Sequence, residues 1–142
     1  MSASTSVLDA SALLAYLHDE PGAGLVADAI AVGACMSTVN VVEVLSRLTD
    51  HDIDPSELAD ELSALGILGG AISIEPFTMA DAIDVARLRP LTRTAGLSLG
   101  DRACLALARR LGSPAVTADT AWSGVDVGVA LTQIREGVRT DA

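Results

Sequence analysis

Four acids in this 142-residue chain stand where carboxylates can do chemistry. Asp9 ends the apolar run Ser6-Val7-Leu8, and Asp119 ends the run Ala115-Val116-Thr117-Ala118. Glu43 follows Asn40 by three positions and Asp101 follows Ser98 by three, each at the start of a stretch with helical apolar spacing. Taken singly, each has an ordinary explanation: a strand-end Asp is a turn residue, and an acid three residues after Ser or Asn can close a capping box at a helix N-terminus. Gathered at one edge of a sheet, four carboxylates would repel one another, and some would stay protonated unless a cation joined them. Hard divalent ions that prefer oxygen ligands, Mg²⁺ or Mn²⁺, are the cofactors such a set would take. An ion held in this way can make a bound water more acidic and neutralise charge on a leaving oxygen.

The elements that must position these acids can be read from the pattern. Thr5 to Leu8 is a buried strand followed at once by a helix from Ala10 to Leu17. Pro21 opens a helical stretch with Leu25, Val26, Ala29 and Ile30 on one face, stopped by Gly33. Ala34 to Thr38 is a second strand and Val39 to Leu48 a helix. Asp54-Pro55 starts another helix, with Leu58, Leu62 and Leu65 on one face, that Gly69-Gly70 ends. Ala71 to Ile74 is a third strand, and Thr78 caps a helix from Met79 to Arg89 that Pro90 is expected to close. Leu99 to Leu111 is a helix, Ala115 to Ala118 a fourth strand, and Val125 to Leu131 a fifth, at the sheet edge. Strands alternating with helices define an α/β class, with a central parallel sheet of four to five strands flanked by helices. In such a sheet ligands bind beyond the carboxyl ends of the strands, which is where Asp9 and Asp119 fall. The length suits a single domain over residues 1–142, with 139–142 as a loose tail.

Composition narrows the function classes. Half the residues are apolar but only three are aromatic, Tyr16, Phe77 and Trp122, so Ala, Val, Leu and Ile build the core. The chain has no Lys; all nine basic residues are Arg, which removes a P-loop and any Schiff-base chemistry. Cys35 and Cys104 have no second Cys or His at ligand spacing and are expected to be buried, reduced thiols. The start "MSASTS" has neither a basic nor an apolar signal region, and the longest uncharged stretch, Ala29 to Val42, is shorter than a membrane span. A cytoplasmic protein without membrane contact is the expectation. The net charge of −10 argues against a polyanionic partner, but the charge is unevenly spread. Ten acids and one Arg lie between Glu43 and Asp84, against six Arg and one acid between Arg87 and Arg110.

The segments "SVLDASALLAYL", "MSTVNVVEVLSRL", "LSLGDRACLALARRLG" and "AVTADTAW" resemble, in order and spacing, the four acidic blocks of the PIN domain, specifically the toxins of VapBC type II toxin–antitoxin systems. The resemblance spans nearly the whole chain and implies a PIN-like α/β/α sandwich and a metal-dependent endoribonuclease. Carried over residue by residue, it makes Asp9, Glu43, Asp101 and Asp119 the catalytic and metal-holding acids. Ser11 and Thr117 match hydroxyl positions that support them, and Asp126 is a looser match to a further acid. It also implies a cognate VapB-type antitoxin, a homodimer, and a transfer, ribosomal or messenger RNA substrate. The acidic total charge departs from many such toxins. Arg87, Arg89, Arg93 and Arg102, around the loop leading to Asp101, are candidate RNA-phosphate contacts, or partners of the protein's own acids or of an antitoxin. Few aromatics are available to stack bases, so recognition is expected to rely on backbone and shape.

Two other classes compete. A response-regulator receiver also places aspartates at strand ends around Mg²⁺, but that family expects a paired acidic start and a lysine, and Asp9 has no acidic neighbour. The alternative within the resemblance is a catalytically silent PIN-like module that binds RNA or antitoxin; the presence of all four acids speaks against a dead site.

Overall fold

The computed structural model describes residues 5–135; the tail expected at 139–142 lies outside the described residues. A five-stranded, wholly parallel sheet runs through the molecule in the order β3-β2-β1-β4-β5. Its strands are β1 (Ser6–Leu8), β2 (Ala34–Ser37), β3 (Ile72–Glu75), β4 (Ala115–Thr117) and β5 (Leu131–Gln133). Six helices connect them: α1 (Ala10–Leu17), α2 (Ala23–Val32), α3 (Thr38–Thr49), α4 (Pro55–Ala64), α5 (Met79–Thr92) and α6 (Leu99–Leu111). No helix among the described residues is long and apolar enough to cross a membrane.

Short strands buried on both faces need apolar residues at every position, and alternation then splits the core in two. Leu8, Met36, Ile72 and Val116 point to a cluster completed by Leu13, Val26, Val44 and Leu62 from α1 to α4. Val7, Cys35 and Ala115 point the other way, to Val85 and Leu88 of α5, the buried face of α6, and Trp122. Both thiols are free and buried. The layering is therefore α/β/α, with the four earlier helices on one side and the last two on the other.

Three elements differ from the sequence pattern. Helix α5 does not stop before Pro90 but continues to Thr92. Leu88 and Thr92 are fully buried, and Thr92 Oγ1 donates to the Leu88 carbonyl over 2.9 Å, which holds the last turn in place. Pro90 and Ala86 are both exposed, so the Ala86 carbonyl that loses its partner to proline lies at a solvated surface. The fifth strand covers Leu131–Gln133 rather than Val125 to Leu131. Val127 is buried there, but Gly128 turns the backbone to φ +78°, and regular pairing begins only afterwards, where Ala115 N–H donates to the Ala130 carbonyl. Strand β2 ends at Ser37, whose hydroxyl caps α3, so Thr38 belongs to the helix.

Candidate active site

The sheet register brings the ends of β1 and β4 together. Val7 pairs with Ala115 and Leu8 with Val116, and the ladder extends one step as Asp9 N–H donates to the Val116 carbonyl over 3.1 Å. Asp9 and Thr117 thus stand side by side. Asp9 is the N-cap of α1: its Oδ1 accepts from Ala12 N–H at 2.8 Å, which ties the carboxylate to the helix it starts.

Two hydroxyls complete its surroundings. Ser11 Oγ lies 2.7 Å from Asp9 Oδ1 and 2.9 Å from Oδ2, and Thr117 Oγ1 donates to Oδ2 over 2.6 Å. Each hydroxyl also accepts a backbone N–H from the end of β4, Ser11 Oγ from Ala118 and Thr117 Oγ1 from Asp119, both at 2.9 Å. A backbone N–H only donates, so each hydroxyl proton is left to point at Asp9. Asp9 is 3% exposed, and burial pushes its carboxyl up to about 6, against the lowering effect of the bonds from Thr117, Ala12 and Ser11. The nearby Asp101 charge adds to the rise.

Glu43 sits in the second turn of α3. Because Ser37 is the N-cap, Glu43 is not the capping-box acid that its spacing from Asn40 suggested. Instead Asn40, 1% exposed, donates from Nδ2 to Glu43 Oε1 at 3.1 Å and to the Gly100 carbonyl at 3.0 Å, joining α3 to the first turn of α6. The contact is so close that a Cβ at Gly100 would lie 1.8 Å from Glu43 Oε1. Burial raises the Glu43 carboxyl, Asn40 and Arg47 lower it, and Asp101 raises it. Asp101 does close a capping box with Ser98, its Oδ2 accepting from Ser98 N–H at 2.8 Å, while Oδ1 accepts no bond among the described residues. Asp119 caps the single 3-10 turn, Thr120–Trp122, its Oδ1 accepting from Ala121 N–H at 2.9 Å.

All four acids line one open cavity of about 760 Å³, together with Ser11, Ser98, Glu20, Arg47 and Arg135. Among the described residues no three metal-capable groups already stand close enough to grip one ion. The set is nonetheless suited to a hydrated hard cation: every donor is oxygen, Asp9 is held in one orientation by three donors, and Gly100 leaves the space that Glu43 fills.

The cations expected from the sequence do not line the cavity. Arg87 pairs with Asp84 on the surface of α5, and Arg102 is turned back, its Nη1 donating to the Val85 carbonyl. Arg89 and Arg93 are exposed, and so is Asp126; none of the three lines the cavity. Arg47 and Arg135 were missed. Arg47 lies four residues after Glu43, one turn along the same helix, and that spacing was a readable signal. Arg135 follows β5 and pairs with Glu20 at 3.1 Å, a contact across the whole chain with no local sequence mark.

Residues 6–128 match the PIN domain family model, and the chain belongs to that family. No curated protein matches its sequence. Several solved structures share the fold. The DNA-bound VapBC from Salmonella typhimurium superimposes with a TM-score of 0.68 at 13% identity, covering 92% of this chain and 98% of that one. FitAcB from Neisseria gonorrhoeae gives 0.65 at 21% identity, covering 89% and 96%. A Mycobacterium tuberculosis VapC toxin, described as cleaving the sarcin-ricin loop, gives 0.64 at 14% identity, covering 89% and 99%.

Proposed function

We propose that this protein is a Mg²⁺- or Mn²⁺-dependent endoribonuclease and the toxin of a type II toxin–antitoxin module. The observation that carries this reading is the Asp9 carboxylate, buried yet held by Ser11, Thr117 and Ala12, in a cavity shared with Glu43, Asp101 and Asp119. Helix capping accounts for Asp9, Asp101 and Asp119 one at a time, but it does not require them to share a cavity with Glu43. Membership of the PIN family and the toxin–antitoxin neighbours support the same reading.

Asp9 and Asp119 would hold the ion directly, with Glu43 and Asp101 completing its shell through oxygen or water. When bound, a divalent ion makes water more acidic and neutralises charge on the leaving oxygen. The chain's own residues do the rest. Ser11 and Thr117 keep both Asp9 oxygens oriented, so the carboxylate loses no time to rotation when substrate arrives. Asn40 holds Glu43 Oε1, and Oε2, which accepts no hydrogen bond among the described residues, is free to take a proton from an attacking water. Asp101, fixed by Ser98, would help hold the cation.

The solved VapBC and FitAB assemblies support a VapB-type antitoxin as partner, and we extend the proposal to a homodimer acting on RNA in the cytoplasm. Incubation of purified protein with total RNA in Mn²⁺, with and without EDTA, tests the reading. Cleavage that EDTA abolishes supports it; RNA that is bound but never cut would make the chain a silent binding module.

A further inference from the structure

Among the described residues, the cavity of this strongly acidic protein is lined by two cations, Arg47 on the helix that carries Glu43 and Arg135 just after β5. Arg47 is carried by α3, which follows β2. Arg135 stands two residues after β5. In the sheet order β3-β2-β1-β4-β5, the strands that lead to Asp9 and Asp119 are β1 and β4, so one Arg follows the strand on one side of that pair and the other follows the strand on the other side. Arg47 makes no ion pair among the described residues, although it is near enough to Glu43 to lower its carboxyl. Arg135 is held by Glu20 at 3.1 Å, and both partners of that pair are about two-fifths exposed. A surface pair of this kind is weak and can be exchanged for a better anion.

A polyanion reaching the four carboxylates needs local positive charge that the net charge of −10 does not provide. Among the described residues the cavity wall holds that charge at Arg47 and Arg135, and Arg forks suit phosphate oxygens. We propose that Arg47 and Arg135 hold the RNA backbone phosphates on either side of the bond to be cut, with Glu20 acting as the anion that the phosphate displaces from Arg135. This rests on the ribonuclease reading given above. It replaces the Arg87 to Arg102 group as the phosphate contacts, because Arg102 is committed to the Val85 carbonyl and none of that group lines the cavity.

The test is fluorescence anisotropy of a labelled, mixed-sequence single-stranded RNA oligonucleotide in low-millimolar Ca²⁺, at a series of salt concentrations. Cleavage of total RNA in Mn²⁺ is followed in parallel. Each of Arg47→Ala and Arg135→Ala should weaken binding and lower the slope of log affinity against log salt by about 0.7, the value for one phosphate contact on a single strand. Arg47→Lys should keep the wild-type slope, since a point charge suffices for counterion release. Glu20→Gln should tighten binding, a change of sign that loss of packing would not produce. Unchanged slopes in both Ala variants, or weaker binding by Glu20→Gln, while wild-type cleavage persists, would overturn this inference alone. Neither binding nor cleavage by the wild type would overturn the ribonuclease reading with it.

Discussion

Thr117 Oγ1 donates to Asp9 Oδ2 over 2.6 Å while accepting the Asp119 N–H over 2.9 Å, so one hydroxyl links the two strand-end aspartates. Ser11 repeats the arrangement between Asp9 and the Ala118 N–H. The pair converts the ends of β1 and β4 into a single rigid support for carboxylate oxygens. Thr117→Val keeps the shape and removes both bonds, leaving the Asp119 N–H unpaired. It should cost about 1–3 kcal/mol of stability and lower cleavage roughly 10–100-fold, as loss of a group orienting a metal ligand does. Urea unfolding and initial rates on RNA check the two numbers separately; full activity would show that Asp9 needs no such support.

Burial makes the stability of the metal-free protein depend on pH. The Asp9 carboxyl sits at about 6 in the folded chain against 3.8 unperturbed, so between those values the folded state holds a proton the unfolded state has released. Stability from this group is complete below about pH 4 and is lost as pH rises towards 6, after which the loss is constant. At 1.36 kcal/mol per unit, the shift corresponds to about 3 kcal/mol at most. Thermal melts in EDTA from pH 4 to 7.5, wild type against Asp9→Asn, should show a decline that is steeper in the wild type, the raised Glu43 carboxyl leaving a smaller one in the variant.

A divalent ion should reverse that loss by offsetting the carboxylate repulsion. Millimolar Mn²⁺ at pH 7.5 should raise the Tm of the wild type more than that of Asp119→Asn. The chain's one tryptophan, Trp122, is fully buried three residues after Asp119, so its fluorescence gives a second readout at the same place. Equal Tm shifts in the two proteins would argue against Asp119 as a ligand.

Gly100 separates packing from chemistry. Gly→Ala in a helix ordinarily gains about 1 kcal/mol, but here the new Cβ would come within 1.8 Å of Glu43 Oε1. The clash is with the end of a flexible side chain at an open cavity, so Gly100→Ala should change stability by less than about 1 kcal/mol and reduce cleavage by displacing the Glu43 carboxylate. Gly100→Ala combined with Glu43→Ala should be at least as stable as Gly100→Ala and no more active, measured by thermal melts and RNA cleavage on the same preparations.

The sequence carried much of this because three of the four acids sit at local boundaries. Asp9, Asp101 and Asp119 are each an N-cap or a capping-box acid, and a boundary is visible in the order of residue types. The parallel α/β layering followed from apolar runs alternating with helical spacing. What the pattern could not give was set by contacts between distant residues. Pro90 reads as a helix stop, yet the burial of Leu88 and Thr92 carries α5 past it. Val125 to Leu131 reads as a strand, yet the turn at Gly128 delays pairing to Leu131. The Arg-rich stretch drew attention by density, whereas cavity-lining Arg135 is located by Glu20, 115 residues away.

The central claim, that Asp9 is the fixed corner of a metal-dependent ribonuclease site, is tested most directly by a single comparison. Wild-type protein and Asp9→Asn, each shown to be folded by circular dichroism, are incubated with total RNA in Mn²⁺ and the products mapped by their ends. A metal ligand at Asp9 requires discrete cleavage by the wild type, none in EDTA, and at least about a 100-fold loss in Asp9→Asn, more than about 2.7 kcal/mol of barrier. Equal cleavage by the two proteins would contradict it.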